Sequence, residues 1–152
     1  MSAKIEFPPY AYIPGMRERH ADGAFDSIRS TANADMSANA LAESRAFQFG
    51  LAYMEAGYFW EAHEVLESVW MALDEDCDER AVVQALIQLA NGRLKLEMSR
   101  PKAALRLCGI IRELLTDLND SEIMTVSIAE LIGEVDSLER ESKMKYNALN
   151  II

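Results

Sequence analysis

From Ala38 onward the apolar residues recur with a helical period. Phe47, Leu51 and Met54 stand at i, i+4 and i+7, one face of an amphipathic helix. Gly57 then stops or bends that helix, as a glycine past a helix end does. The pattern predicts a second helix from about Tyr58 to Leu73. An acidic loop, Asp74 to Glu79, comes just ahead of a third helix running to about Met98, where the N-terminal dipole favours negative charge. Ser99 and Pro101 supply a cap and a first-turn proline for a fourth helix reaching about Leu118. Asn119 to Ser121 breaks the chain. Ser127 and Glu130 have capping-box spacing and start a fifth helix, expected to end near Arg140. Strand patterns are nearly absent and no repeat of solenoid length occurs. The expected fold is all-α: a single-domain antiparallel bundle of about four to five helices, because short loops fold successive helices back on one another.

Ahead of the bundle the pattern is different. Residues 1–36 contain Pro8, Pro9 and Pro14, three of the four prolines. Two adjacent prolines cannot donate to a ladder, and Phe7, Tyr10 and Tyr12 call for burial, so this segment reads as an extended arm that wraps the bundle. A short helix fits around Phe25 to Arg29. The chain thus divides into an arm (1–36), a helical core (37–118), and a C-terminal helix and tail of the same domain (119–152).

Two polar rows interrupt the apolar pattern. On the second helix His63, Glu67 and Trp70 stand at i, i+4 and i+7, within about 60° of one another around the axis. Glu61 and Glu64 point away from that row, and Glu61, in the first turn, is assigned to the helix dipole. The third helix is apolar over most of its circumference, as a buried helix is. Yet Arg80, Gln84, Gln88, Asn91 and Lys95 form one polar row along it. Buried polar groups must be hydrogen-bonded, at about 1–3 kcal/mol for each failure. The two rows are therefore expected to meet as a polar seam, with Glu67 in reach of Gln84 or Gln88.

Composition narrows the partners. The chain has 152 residues, half of them hydrophobic, which suits one domain with a real core. Its net charge is −10. That argues against a general phosphate-backbone binder of nucleic acid and against docking on an anionic membrane. No stretch approaches a membrane span and no secretory signal is visible. Cys77 and Cys108 stand apart and read as reduced thiols of a cytoplasmic protein. Against the acidic average, six basic residues and one acid lie between Arg93 and Arg112, a net of +5. They are read as a solvated face, or as an anion site near Ser99 to Ala104, where the next helix offers free N–H groups.

Metal chemistry is the first candidate for a His–Glu pair. His63 and Glu67 supply two ligands where zinc takes three or four, and His20 would have to fold over from the arm to add a third. The paired ExxH motifs of di-iron bundles are missing. No cofactor is expected, and a divalent metal at His63 and Glu67 is the secondary reading. There is no Ser-His-Asp pattern and no glycine-rich phosphate loop.

These residues carry a resemblance. "EAHEVLESVW" contains HxxxExxW as His63, Glu67 and Trp70, and "QALIQLANGRLKL" with "RPKAALRL" resembles a second block of the same family. The chain is similar to the helical family called domain of unknown function 309, from about Pro8 to Leu118. The "PPYAYIPG…RH" opening is similar to the arm of proteobacterial members. The resemblance implies a compact helical fold, and it implies a functional role for His63, Glu67 and Trp70. It also implies metal binding, with no established activity. Ala85 stands where many members have glycine.

Two functions remain open. In one the seam binds a small-molecule ligand or performs acid/base chemistry, with His63 as base, Glu67 as its partner, and Trp70, Arg80, Gln84, Gln88, Asn91 and Lys95 around the bound group. In the other the protein is a non-catalytic interaction module, a homo-oligomer for instance, whose seam only fixes helix packing. Whether the protein is an enzyme is not decided by the sequence.

Overall fold

The computed structural model describes residues 4–150. Among them seven helices follow in order: α1 (Asp26–Arg29), α2 (Ala38–Glu43), α3 (Arg45–Ala56), α4 (Phe59–Ala72), α5 (Asp78–Glu97), α6 (Pro101–Leu115) and α7 (Ile128–Leu149). The chain folds as an all-α protein around α5. That helix packs on α4 and α6, while α3 packs on α4 and α7 on α6. No described helix is long and apolar enough to cross a membrane.

Local chemistry sets the boundaries. Ser37 caps α2 by accepting from the Ala40 N–H, and Ser127 caps α7 by accepting from the Glu130 N–H. Gly57 ends α3 in the left-handed region at φ 87°, and Pro101 opens α6. Two boundaries differ from the sequence reading. The helix expected from Ala38 to Gly57 is two helices, because Ser44 takes an extended conformation and caps α3 at the Phe47 N–H. The last helix passes Arg140 and runs to Leu149, since Leu138 and Ser142 continue its buried face. A tight hairpin also precedes it: β1 (Glu122–Ile123) pairs antiparallel with β2 (Val126–Ser127). Met124 and Thr125 turn it at φ 53° and 61°, a mirror-image turn without glycine.

The arm lies against α3 and α4. Tyr53 donates to the Glu6 carbonyl and Tyr58 to the Pro8 carbonyl, each at 3.4 Å. The Phe7 ring meets both tyrosine rings, yet Phe7 remains exposed, so the burial expected of it is not reached. Tyr53 is fully enclosed, and burial, reinforced by the charge of Glu61, pushes its hydroxyl up to about 12 from an ordinary 10.0. A raised pKa means the fold holds the neutral phenol. Its contribution is complete below pH 10 and is lost as pH rises through about 12. Alkaline unfolding of Tyr53→Phe should therefore lack a loss of ~2–3 kcal/mol that the parent shows over that window. Equal alkaline profiles for parent and variant would refute this.

Candidate functional site

The first surprise of α4 is Glu61. Around the axis it lies about 40° from Val65, inside the apolar sector rather than on the outer face. It is 0% exposed. Its Oε2 accepts two hydrogen bonds from the arm, one from His20 Nε2 at 2.6 Å and one from the Tyr12 N–H at 2.8 Å. Its Oε1 is buried with no hydrogen-bond partner among the described residues. Aromatic rings close over His20: Tyr10 stacked at 4.9 Å, Phe25 edge-on at 5.4 Å and Trp60 tilted at 6.0 Å between centroids. The assignment of Glu61 to the helix dipole is thus corrected. A carboxylate in a core sector needs a donor, and the arm brings one. The same contact corrects the idea that His20 joins His63, because His20 is committed to Glu61.

His63 and Glu67 do meet. His63 Nε2 lies 3.3 Å from Glu67 Oε2, and both side chains are partly open to solvent. The third member comes from α1, not α5. Arg29 places one guanidinium nitrogen 3.7 Å from Glu67 Oε1, and its other nitrogen donates to the Glu64 carbonyl. The expected polar seam is therefore not formed. Among the described residues no hydrogen bond joins Glu67 to Gln84 or Gln88, because Glu67 turns toward α1.

Trp70 is half-buried. Arg80 covers its ring at 4.0 Å and donates to its backbone carbonyl. Among the described residues that pair is the one hydrogen-bonded or ring contact between the α4 row and the α5 row. Gln84, Gln88, Asn91 and Lys95 are half-exposed along α5. Among the described residues their one internal bond runs from Asn91 to Gln88 at 3.4 Å. Such a row is solvated, not sealed.

The donor set does not fit a metal. His63 and Glu67 supply two ligands and their next neighbour is the Arg29 guanidinium, a cation. Among the described residues no group of three or more His, Cys, Asp or Glu is placed to hold a metal ion. A cleft of about 290 Å³ does lie beside the row, between α1 and the first turns of α4. Arg19, His20, Arg29, Trp60 and Glu64 line it. Arg29 thus belongs to both the cleft and the His63–Glu67 pair.

Sequence reasoning missed Arg29, Glu61 and the role of His20. Glu61 had a signal: it falls at i, i+4, i+8 with Val65 and Val69, an acid in a core stripe. Arg29 had none, since a four-residue helix after an irregular arm does not announce what it faces.

Compared with protein families, residues 47–107 match the family described as Domain of unknown function (DUF309). This is the family that the His63, Glu67 and Trp70 motif resembles. No curated protein and no solved structure matches the chain.

Proposed function

We propose that the α1/α4 edge binds a small polar ligand, with His63 as its acid/base group and Glu67, steadied by Arg29, as the residue that orients the imidazole. The observation that carries this reading is the contact of His63, Glu67 and Arg29 at a partly open surface beside a cleft. Imidazole is the side chain whose ordinary pKa suits proton transfer near neutrality. Carboxylate contact is the usual device for fixing its ring. The cleft mixes the guanidinium groups of Arg19 and Arg29 with the carboxylates of Asp26 and Glu64, and adds the Trp60 face. That lining suits a compact molecule carrying both charges.

The test is backbone-amide NMR with glycine, acetate, inorganic phosphate and ethanolamine as separate probes. At least one probe should shift resonances of Arg29, Trp60, Glu64 and Glu67, and Arg29→Gln should abolish the shift. His63→Ala and Glu67→Gln should each change stability by less than about 1 kcal/mol, as partly exposed pairs do. Losses of about 1–3 kcal/mol in both, with no probe binding, would make the row structural.

A second reading has its own observation. The α5 row from Arg80 to Lys95 is half-exposed and largely unbonded within itself, which suits contact with a second copy of the chain. Sedimentation of Gln84→Lys and Gln88→Glu variants against the parent reads it: a dimer lost in both supports that reading.

A further inference from the structure

The basic segment from Arg93 to Arg112 does not act as one group. Arg112 is spent on α7, with Asp136 at 2.8 Å and Glu139 at 2.7 Å, and Arg93 pairs with Glu141. Four cations remain, and Lys95 lies on the α5 row, away from the other three. Among the described residues Arg100, Lys102 and Arg106 have no ion-pair partner, in a chain with 25 acidic residues. All three line one groove of about 910 Å³, between the start of α6 and the end of α7. The groove is chiefly apolar: Pro101 and Leu105 form one wall, Tyr146 and Leu149 the other. Tyr146 and Leu149 are 39% and 51% exposed, large apolar side chains left open at the end of α7.

Exposed apolar surface rimmed by like charges marks a partner site more often than a solvated face. A concave groove with two apolar walls accepts a helix laid lengthwise, anchored by residues one turn apart. The rim selects its charge. Cations left unpaired by an acidic protein gain most from carboxylates brought by the partner, and the uncapped start of α6 adds its positive dipole end to the same rim. We infer that the α6/α7 groove docks an acidic amphipathic helix of a partner protein, with leucine-like residues in the groove and carboxylates on Arg100, Lys102 and Arg106. A bilayer is the less suitable occupant, because an anionic surface would repel a chain of net charge −10.

Fluorescence anisotropy of the full chain tests this with a labelled helical peptide bearing leucines on one face and glutamates on the other. The same leucine face with lysines, and a scrambled acidic sequence, are the controls. The acidic helix should bind, salt should weaken it, and both controls should fail. Arg100→Gln with Arg106→Gln, and separately Leu149→Ser, should each weaken binding by about tenfold or more, the scale of a lost rim pair or anchor. All these positions lie at the surface, so unchanged thermal unfolding separates lost docking from lost fold. Equal binding of the lysine peptide, indifference to the variants, or no binding would overturn the inference. So would binding to phosphatidylserine vesicles without binding to the peptide, which would make the groove a membrane contact. A dimer dissolved by Leu149→Ser and not displaced by the peptide would assign it to a second copy.

Discussion

His20→Ala should lower the stability of the protein by about 3–5 kcal/mol, the largest effect expected of any polar substitution in the chain. Glu61 is fully enclosed and one of its oxygens already lacks a partner among the described residues. Removing His20 leaves the other oxygen with the Tyr12 N–H alone. The cost comes from the carboxylate left behind, so Glu61→Gln should be milder than His20→Ala. An amide needs less from its surroundings than an ion. The double variant should be less damaged than the two losses added together, because the second change removes the group that the first one stranded. Denaturant unfolding of the four proteins reads all three expectations. A His20→Ala variant as stable as its parent would mean that the arm does not hold Glu61 in solution.

The next largest loss is expected from Leu66→Ala, at about 2–5 kcal/mol. Leu66 is fully buried where α4 crosses α3, directly over Gly50. A methyl group on Gly50 would come within 2.5 Å of both Cδ2 and Cγ of Leu66, so the whole side chain would have to move. Gly50→Ala alone should therefore cost about 1–3 kcal/mol through overpacking. The pair is complementary: the cavity left by Leu66→Ala is the space that the methyl group introduced by Gly50→Ala needs. Gly50→Ala placed on Leu66→Ala should be nearly neutral or restorative, and additive losses in thermal unfolding would contradict this contact.

Legibility in the sequence followed periodicity. The helices from Phe59 to Leu115 were readable because apolar spacing, Gly57 and Pro101 all agree with the fold. Ser44 was not readable as a break, since a serine within an apolar helical pattern looks like a surface residue. Only the fold reveals its cap, where the Ser44 hydroxyl accepts from the Phe47 N–H while Thr31 accepts from the Ala46 N–H. The site was half readable. The His63–Glu67 contact is a property of one helix, so spacing found it. Its third member, Arg29, and the partner of Glu61 lie 38 and 41 residues away along the chain from Glu67 and Glu61 respectively, and no local period encodes such pairings. The α5 row is a half-exposed stripe, and it meets the α4 row through Arg80 on Trp70 rather than through Glu67. Angular spacing fixes which residues share a face and does not say what that face meets.

The only two histidines of the chain stand in different settings: His20 joins the arm to the bundle through Glu61, and His63, the proposed acid/base group, lies at a partly open surface. Their side chains are 8% and 29% exposed. Carbethoxylation by diethyl pyrocarbonate, followed by peptide mass spectrometry of the folded protein, reads that difference directly. Rapid modification is expected at His63 with the fold intact, and at His20 only as the protein unfolds. Modification of His20 at the rate of His63, in protein that remains folded, would contradict this.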